Sequence, residues 1–273
     1  MAVMAVVNRT PDSFYDRGAT FGLRAALEAV DRAVEDGADM VDIGGVKAGY
    51  GAPVDVAEEL SRTADLVAAV RERHPDLVIS VDTWRSEVAE ALVGVGADLL
   101  NDTWSGADPR LAEVAAAAGV GIVCSHTGGL PPRTDPHRPR YSDVMADVVS
   151  TVTRLAERAV SLGVPRQGVL VDPTHDFGKN TYHSLEVTRR LPELVATGWP
   201  VMVAVSNKDF IGETLDLPTD QRLEGTLAAV AVCGWLGARV FRVHNVRAVR
   251  RAVDMVASIR GTRPPAVARR GLA

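Results

Sequence analysis

The chain begins with an apolar run, Val3–Val7, that leads directly into Asn8-Arg9-Thr10-Pro11-Asp12-Ser13-Phe14. A short apolar run that ends in polar residues and proline predicts a buried strand followed by a loop. Polar side chains just past the carboxyl end of a strand lie where parallel α/β sheets and barrels build their sites. This junction therefore predicts both a parallel α/β fold and the start of a functional site.

Similar junctions recur along the chain. Short apolar runs end in polar residues at Asp42-Ile43-Gly44-Gly45, Ser80-Val81-Asp82-Thr83, Leu100-Asn101-Asp102, Val171-Asp172-Pro173, Ser206-Asn207-Lys208 and Arg242-Val243-His244. The eight strand candidates are Val3–Val7, Met40–Ile43, Val78–Asp82, Leu99–Asn101, Gly121–Cys124, Gly168–Asp172, Val201–Ala204 and Arg239–Val243. Helical periodicity lies between them, at about 22–36, 55–73, 86–94, 109–118, 142–162, 182–196, 219–236 and 246–258.

Eight strands, each followed by a helix, predict a single-domain α/β protein with a (β/α)8 TIM barrel over residues 1–260. The alternative is an open doubly wound sheet. Its dinucleotide-binding version loses support because no Gly-x-Gly-x-x-Gly follows the first strand. Residues 261–273 have no periodicity, which predicts a disordered C-terminal tail.

Local signals mark several helix ends. Ser142-Asp143 and Asp216-Leu217-Pro218-Thr219 precede apolar periodic runs and predict helix starts. Gly37, Gly96 and Gly237 each precede a strand, and this position favours a left-handed residue that ends the preceding helix.

The composition favours small-molecule chemistry. The 273 residues are 47% hydrophobic and carry a formal net charge of −5. A net negative charge argues against nucleic acid or an anionic membrane as the main partner. Cys124 and Cys233 lie in apolar surroundings, which predicts buried free thiols. Because the sequence has no leader pattern and no apolar run long enough to span a bilayer, we expect a soluble, cytoplasmic protein.

The polar strand ends fall into two chemical sets. One set, Asp82, Asn101, Asp172 and Lys208, supplies the acceptors and donors that would bind a flat nitrogen heterocycle. The other set, Asn8, Arg242 and His244, suits an anion, with the Asn8 carbonyl on a divalent metal and the cations on phosphate oxygens. The implied ligand is a heterocycle with a diphosphate. Each carboxylate also has a structural alternative, as a residue that starts a turn or caps a helix.

One internal segment, residues 128–140, is rich in proline and basic residues and follows the fifth strand. An insertion of this length in a compact barrel predicts a lid over the site, and a variable surface loop is the alternative.

The motifs together resemble the dihydropteroate synthase family over residues 3 to about 258. They are Asn-x-Thr-Pro-Asp-Ser-Phe at 8–14, Asp-Ile-Gly-Gly at 42–45, Val-Asp-Thr at 81–83, Asn-Asp at 101–102, His126 after a strand, Asp-Pro-x-x-x-Phe-Gly-Lys at 172–179, Ser-x-Lys at 206–208 and Arg-Val-His at 242–244. The resemblance implies a (β/α)8 enzyme, usually a homodimer, that joins a dihydropterin hydroxymethyl diphosphate to 4-aminobenzoate and releases pyrophosphate.

The resemblance also implies residue roles. Asp82, Asn101, Asp172 and Lys208 match the pterin pocket, Phe177 matches a ring contact, Asn8 matches the Mg²⁺ contact, and Arg242 with His244 match the diphosphate site. Metal, Arg242 and His244 would stabilise the leaving diphosphate. Arg242, His244 and Lys208 are therefore the catalytic candidates. If Arg242 acts only on the anion, its replacement should leave the thermal midpoint nearly unchanged.

The chain departs from the family at three loops. The family's Gly-Gly-Glu-Ser-Thr-Arg-Pro-Gly reads Gly-Gly-Val-Lys-Ala-Gly-Tyr-Gly at 44–51, so its Thr, Arg and Pro become Ala48, Gly49 and Tyr50. Asp-Pro-Gly-Phe-Gly-Phe-Gly-Lys becomes Asp-Pro-Thr-His-Asp-Phe-Gly-Lys at 172–179. Ser-Arg-Lys-Ser becomes Ser-Asn-Lys-Asp at 206–209, which places Asp209 where a helix start would receive the aminobenzoate carboxylate.

A carboxylate at position 209 should oppose the carboxylate of 4-aminobenzoate, and a structural role as a plain N-terminal residue of a helix is the additional alternative for Asp209. Two such charges ~4 Å apart repel by roughly 4 kcal/mol at an effective dielectric of about 20. Three hypotheses follow: a working synthase, a paralogue with weak or lost synthase activity that binds another ligand or a partner, and a pterin-dependent methyltransferase. The altered loops favour the second.

Overall fold

A computed structural model of the chain describes residues 1–10, 18–134 and 138–271. Its strands are β1 Ala2–Asn8, β2 Met40–Gly44, β3 Val78–Asp82, β4 Leu99–Asp102, β5 Gly121–Ser125, β6 Val169–Asp172, β7 Met202–Val203 and β8 Val240–Val243. All pairings in this eight-stranded sheet are parallel, and β1 lies between β2 and β8. A bridge between Val171 and Val201 joins β6 to the β7 segment, so the sheet closes into the predicted (β/α)8 barrel.

The helices follow the predicted periodicity with two differences. They are α1 Leu23–Glu35, α2 Val56–Arg73, α3 Ser86–Gly94, α4 Leu111–Ala118, α5 Val144–Leu162, α6 Thr181–Arg189, α7 Leu191–Val195, α8 Asp209–Leu215, α9 Leu223–Leu236 and α10 Val246–Ile259. The helix expected at 182–196 is two helices, with Pro192 in the first turn of the second, a position where proline is favoured. The short helix α8 after β7 was not predicted from the periodicity, although the family resemblance places a helix start at Asp209.

Alternating strand residues build two apolar layers. Val3, Ala5 and Val7 of β1 belong to the large buried cluster that packs the sheet against the helices. Met4 belongs instead to a small separate cluster with Leu99, Val123, Met202 and Val240. Successive residues of a strand point to opposite faces, so this small cluster fills the barrel interior. The interior below the strand ends is therefore packed, and a site must lie above it.

The predicted helix ends are mostly confirmed. Gly37, Gly96 and Gly237 have φ of 94°, 115° and 114°, in the left-handed region. Asp143 caps α5 by accepting from the backbone N–H groups of Met145 and Ala146 at 2.9 Å. The prediction that the segment from Asp216 starts a helix is wrong at that residue. Asp216 instead ends α8 with a φ of 54°, and α9 begins at Leu223.

The predictions for two peripheral segments are tested only in part. Residues 128–134 and 138–140 carry no helix or strand, and residues 135–137 lie outside the described residues. The described part of the tail, 261–271, also lacks regular structure and is exposed, and its disorder stays a prediction.

In the described parts of the chain, no helix is long and apolar enough to cross a bilayer. Cys124 and Cys233 are free and buried, as predicted.

Candidate functional site

A cleft opens at the carboxyl ends of the strands, with an empty volume of about 790 Å³ that includes solvent at its mouth. Its wall contains most of the site residues predicted from the sequence. These are Asn8, Asp82, Asn101, Asp172, Phe177, Lys208, Arg242 and His244. The strand ends therefore bring both chemical sets into one cleft. Asp209 does not line it, and Pro11–Phe14 of the first motif lie outside the described residues.

Arg242 lies at the centre of a charge network. Its guanidinium donates from Nε to Asp42 Oδ2 at 2.6 Å and from a terminal nitrogen to Asp82 Oδ2 at 2.8 Å. Asp42 is fully buried and also accepts from Ser80 Oγ at 2.5 Å and from Asn101 Nδ2 at 3.1 Å. Arg242 therefore compensates two carboxylates of the barrel as well as facing the cleft. The expectation that its replacement leaves stability nearly unchanged disagrees with this geometry.

The floor of the cleft combines a buried carboxylate with a buried amine. Asp172 Oδ1 accepts from the backbone N–H of Thr174 at 2.7 Å. Burial raises the pKa of Asp172, and the hydrogen bond from Thr174 opposes that rise. Lys208 Nζ donates to the carbonyl of His175 and lies 4.4 Å above the centre of the Phe177 ring. Burial lowers the pKa of Lys208, and nearby carboxylates oppose that decrease. These groups offer acceptors, a donor and a ring face to a planar ligand.

Lys179 holds the loop that carries Phe177. Its Nζ donates to the carbonyls of His126, Thr174 and Phe177 at 3.1–3.2 Å and contacts His126 Nδ1 at 2.7 Å. His126 Nε2 in turn pairs with Asp147 Oδ1 at 2.6 Å. Burial lowers the pKa of Lys179 to about 7. Sequence spacing does not distinguish Lys179 from an ordinary loop cation, because its contacts come from two loops.

The structure corrects the expected role of Asp209. Its side chain is 79% exposed and pairs with Arg222 at 2.8 Å. Asp176, from the loop after β6, is the carboxylate that meets the first turn of α8. Its Oδ2 accepts from the backbone N–H groups of Asp209 at 2.7 Å and Phe210 at 3.3 Å. The carboxylate at this position therefore belongs to Asp176 and not to the Asp209 side chain.

The loop after β2 contributes to the cleft wall through Val46, Lys47 and Ala48. Tyr50 points outward, with 82% of its surface exposed. Arg133, from the 128–140 segment, donates to the carbonyls of Gly49 at 3.3 Å and Ala52 at 2.7 Å. The segment thus fastens this loop, and Lys47 is the loop cation at the cleft.

Oxygen ligands for a metal are sparse here. The described residues include no group of three or more His, Cys, Asp or Glu side chains arranged to hold a metal ion. Asn8 offers a single neutral oxygen, which fits Mg²⁺ only if water and phosphate oxygens complete the coordination.

Asp102 ends β4 as a buried carboxyl group with 4% exposure. It accepts from the backbone N–H groups of Trp104 at 3.1 Å and Gly106 at 2.7 Å. Burial raises its pKa from 3.8 to about 7. A pKa that is higher in the folded state gives stability that is complete below the unfolded value and is lost as the pH rises through the folded value.

We therefore expect Asp102→Asn to weaken the decline in stability between pH 4 and pH 8, because asparagine does not titrate in this range. Urea unfolding at several pH values measures this pH dependence. An unchanged pH dependence in the variant would show that Asp102 is ionised in the folded protein.

Comparison with known proteins gives the family. The family model for pterin binding enzymes matches residues 4–244. The chain belongs to this family. It is 58% identical over 275 aligned positions to "Inactive dihydropteroate synthase 2" of Mycobacterium leprae, covering 99% of this chain and 94% of that protein.

Solved structures agree with this assignment. A Yersinia pestis dihydropteroate synthase in a sulfonamide drug complex superposes with a TM-score of 0.90 at 33% identity, covering 96% of this chain and 94% of that one. A Xanthomonas albilineans dihydropteroate synthase with 4-aminobenzoic acid gives 0.86 at 33% identity, with 98% and 94% covered. The chain is thus a dihydropteroate synthase homologue, as its motifs predicted.

Proposed function

We propose that this protein binds a dihydropterin hydroxymethyl diphosphate in its cleft and catalyses its condensation with 4-aminobenzoate weakly or not at all. The observation that carries the proposal is a contrast within one site. The groups suited to the pterin line the cleft, whereas the loops at 46–50 and 174–176 have lost the family's residues. The name of the Mycobacterium leprae relative agrees with a loss of synthase activity.

The pterin half of the proposal depends on Asp172, Asn101 and Lys208. Asp172 Oδ1 is bonded to Thr174, so Oδ2 is the oxygen available to ring N–H and amino groups. Asn101 Nδ2 donates to Asp42, which fixes the amide and leaves its carbonyl for the ligand. Lys208 supplies a donor for a ring carbonyl beside the Phe177 face. Buried hydrogen-bond partners of this kind give strong selectivity, because a ligand that lacks the matching groups leaves them unpaired.

The diphosphate half depends on Asn8, Lys47, Arg242 and His244, which share the cleft wall. Arg242 is already bonded to two carboxylates, so we expect His244 and Lys47 to supply much of the attraction for phosphate oxygens. Asn8 Oδ1 would be one ligand of a Mg²⁺ ion that arrives with the diphosphate. Such an ion would withdraw charge from the leaving group.

The residues expected to promote the condensation step are the ones in which this chain differs from the family. Ala48 and Gly49 replace a hydroxyl and a guanidinium that would close on the leaving diphosphate, and Tyr50 is exposed. Loss of one preorganised donor to a developing negative charge costs about 10²–10³ in turnover. The combined loss supports weak or absent synthase activity.

The deciding experiment is calorimetric titration with the pterin diphosphate and with 4-aminobenzoate separately, together with a direct assay for dihydropteroate. We expect measurable affinity for the pterin diphosphate and little or no product. Ordinary turnover would favour a working synthase in which Lys47 replaces the missing arginine. No affinity for the pterin diphosphate or for pyrophosphate would reject the proposal.

Asp172→Asn tests the pterin pocket. The substitution keeps the oxygen bonded to Thr174 and turns the other oxygen into a donor that opposes the ring N–H groups. We expect a loss of about 2–3 kcal/mol of pterin binding free energy, roughly a 30- to 150-fold rise in Kd. Asp254→Asn, on α10 outside the cleft, is the matched control. Equal pterin affinity in both variants would remove Asp172 from the pocket.

We also propose that the protein is a homodimer. The neighbouring helices α9 and α10 expose Val232, Trp235, Met255 and Ile259, each between 48% and 61%. Exposed apolar side chains on adjacent helices are typical of surfaces that bury against a partner. Its cytoplasmic location stays a prediction from the sequence.

A further inference from the structure

The loop after β6 places a partly buried carboxylate, Asp176, between two residues that line the cleft, Thr174 and Phe177. Asp176 has a φ of 70°, a left-handed conformation in which glycine is favoured. Its Oδ2 accepts from the backbone N–H groups of Asp209 and Phe210, and its Oδ1 accepts from Ser184 Oγ at 3.1 Å. A carboxylate at this unfavourable φ is thus held by three hydrogen bonds.

The same carboxylate acts on the amine of the cleft. The negative charges of Asp176 and Asp172 both favour the protonated form of Lys208, against the effect of burial, which lowers its pKa. Phe177, the residue after Asp176, lines the cleft and packs under that amine at 4.4 Å. A ligand carboxylate that approaches this ring would meet the negative charge of Asp176 and would find the two backbone donors already occupied.

We propose that Asp176 sets the chemical class of the second ligand: it excludes aromatic carboxylates from the Phe177 side of the cleft and leaves room for uncharged or cationic aromatic amines. This inference rests on the proposed pterin binding. The excluded class contains 4-aminobenzoic acid, the molecule held by the Xanthomonas albilineans relative. Like charges in a partly buried site repel strongly enough to weaken binding about ten- to hundredfold.

Asp209 provides the matched control. It is also a carboxylate near this edge, but its side chain is 79% exposed and neutralised by Arg222. An exposed, paired charge is screened by water and salt and contributes little to the selection of a ligand.

The experiment compares two probes of the same shape, 4-aminobenzoate and 4-aminobenzamide, by calorimetry on the full chain saturated with a hydroxymethylpterin and pyrophosphate. In the wild type we expect the amide to bind at least about tenfold more tightly than the carboxylate. Asp176→Asn should bring the two affinities close to each other. The substitution keeps one oxygen for the backbone donors and places its amide against the Ser184 hydroxyl. Asp209→Asn should change the ratio less than about twofold.

Asp176→Gly is the second test, because glycine suits the φ of this position and should preserve folding. It frees the two backbone donors and should raise the affinity for 4-aminobenzoate about tenfold or more. Failure to gain that affinity overturns the inference, even if the wild type binds neither probe. Equal binding of both probes to the wild type overturns this inference and leaves the proposed pterin binding intact. Absence of pterin binding rejects the proposed function and this inference with it.

Discussion

Arg242→Ala is expected to lower the free energy of unfolding by about 3–5 kcal/mol and to weaken pyrophosphate binding, because the negative charge of Asp82 in the cleft wall loses its partner. The guanidinium is the partner of Asp42, which is fully buried, and of Asp82, whose side chain is 18% exposed. Removing one partner of a buried ion pair leaves charge without compensation in a medium that solvates it poorly. Urea unfolding and calorimetric titration with pyrophosphate measure the two effects.

Arg247→Ala is the control for this experiment. Arg247 lies on α10 and pairs with Asp36, but 66% of its side chain is exposed, so its loss should cost less than about 1 kcal/mol. Adding Asp42→Asn to Arg242→Ala should recover part of the lost stability, because it removes one of the charges left uncompensated. Normal stability of Arg242→Ala with loss of pyrophosphate binding would mean that Arg242 serves the anion alone.

The sequence predicted where Arg242 lies but not what it contacts. Arg242 and His244 are separated by one apolar residue, and both line the cleft, as the alternation of side chains along a strand predicts. The ion-pair partners of Arg242 are on β2 and β3, 200 and 160 residues away in sequence. A pattern local to β8 carries no information about these partners, so the structural role of Arg242 was not foreseen.

The same limit applies to the loops. Apolar runs that end in polar residues located the strand ends. A strand that is buried in the barrel must be apolar whichever strands are its neighbours, so this pattern can be recognised locally. Asp176 and Lys179 act through contacts with α8, Ser184 and His126, which sequence spacing does not reveal. Asp209 was placed correctly at the start of a helix, but the direction of its side chain depends on Arg222.

Restoration of the family's residues should produce synthase activity. The full set is Asp176→Gly, Asp209→Ser, Ala48→Thr, Gly49→Arg and Tyr50→Pro. The position of Gly49 has room for a side chain, since a Cβ built there would meet only Lys47 Cε, at 3.9 Å. The new hydroxyl and guanidinium would face the leaving diphosphate, and Asp176→Gly would free the backbone N–H groups of Asp209 and Phe210 for the aminobenzoate carboxylate.

We expect the full set to raise dihydropteroate formation by about 10²–10³-fold over the wild type. The same set without Asp176→Gly is the matched control and should remain well below the full set, because the Asp176 carboxylate still repels the second substrate. A direct product assay with saturating pterin diphosphate separates the outcomes. If the wild type already turns over at an ordinary rate, the altered loops are not disabling. Lys47, the cation of the second loop at the cleft, would then supply the charge that the missing arginine provides in the family.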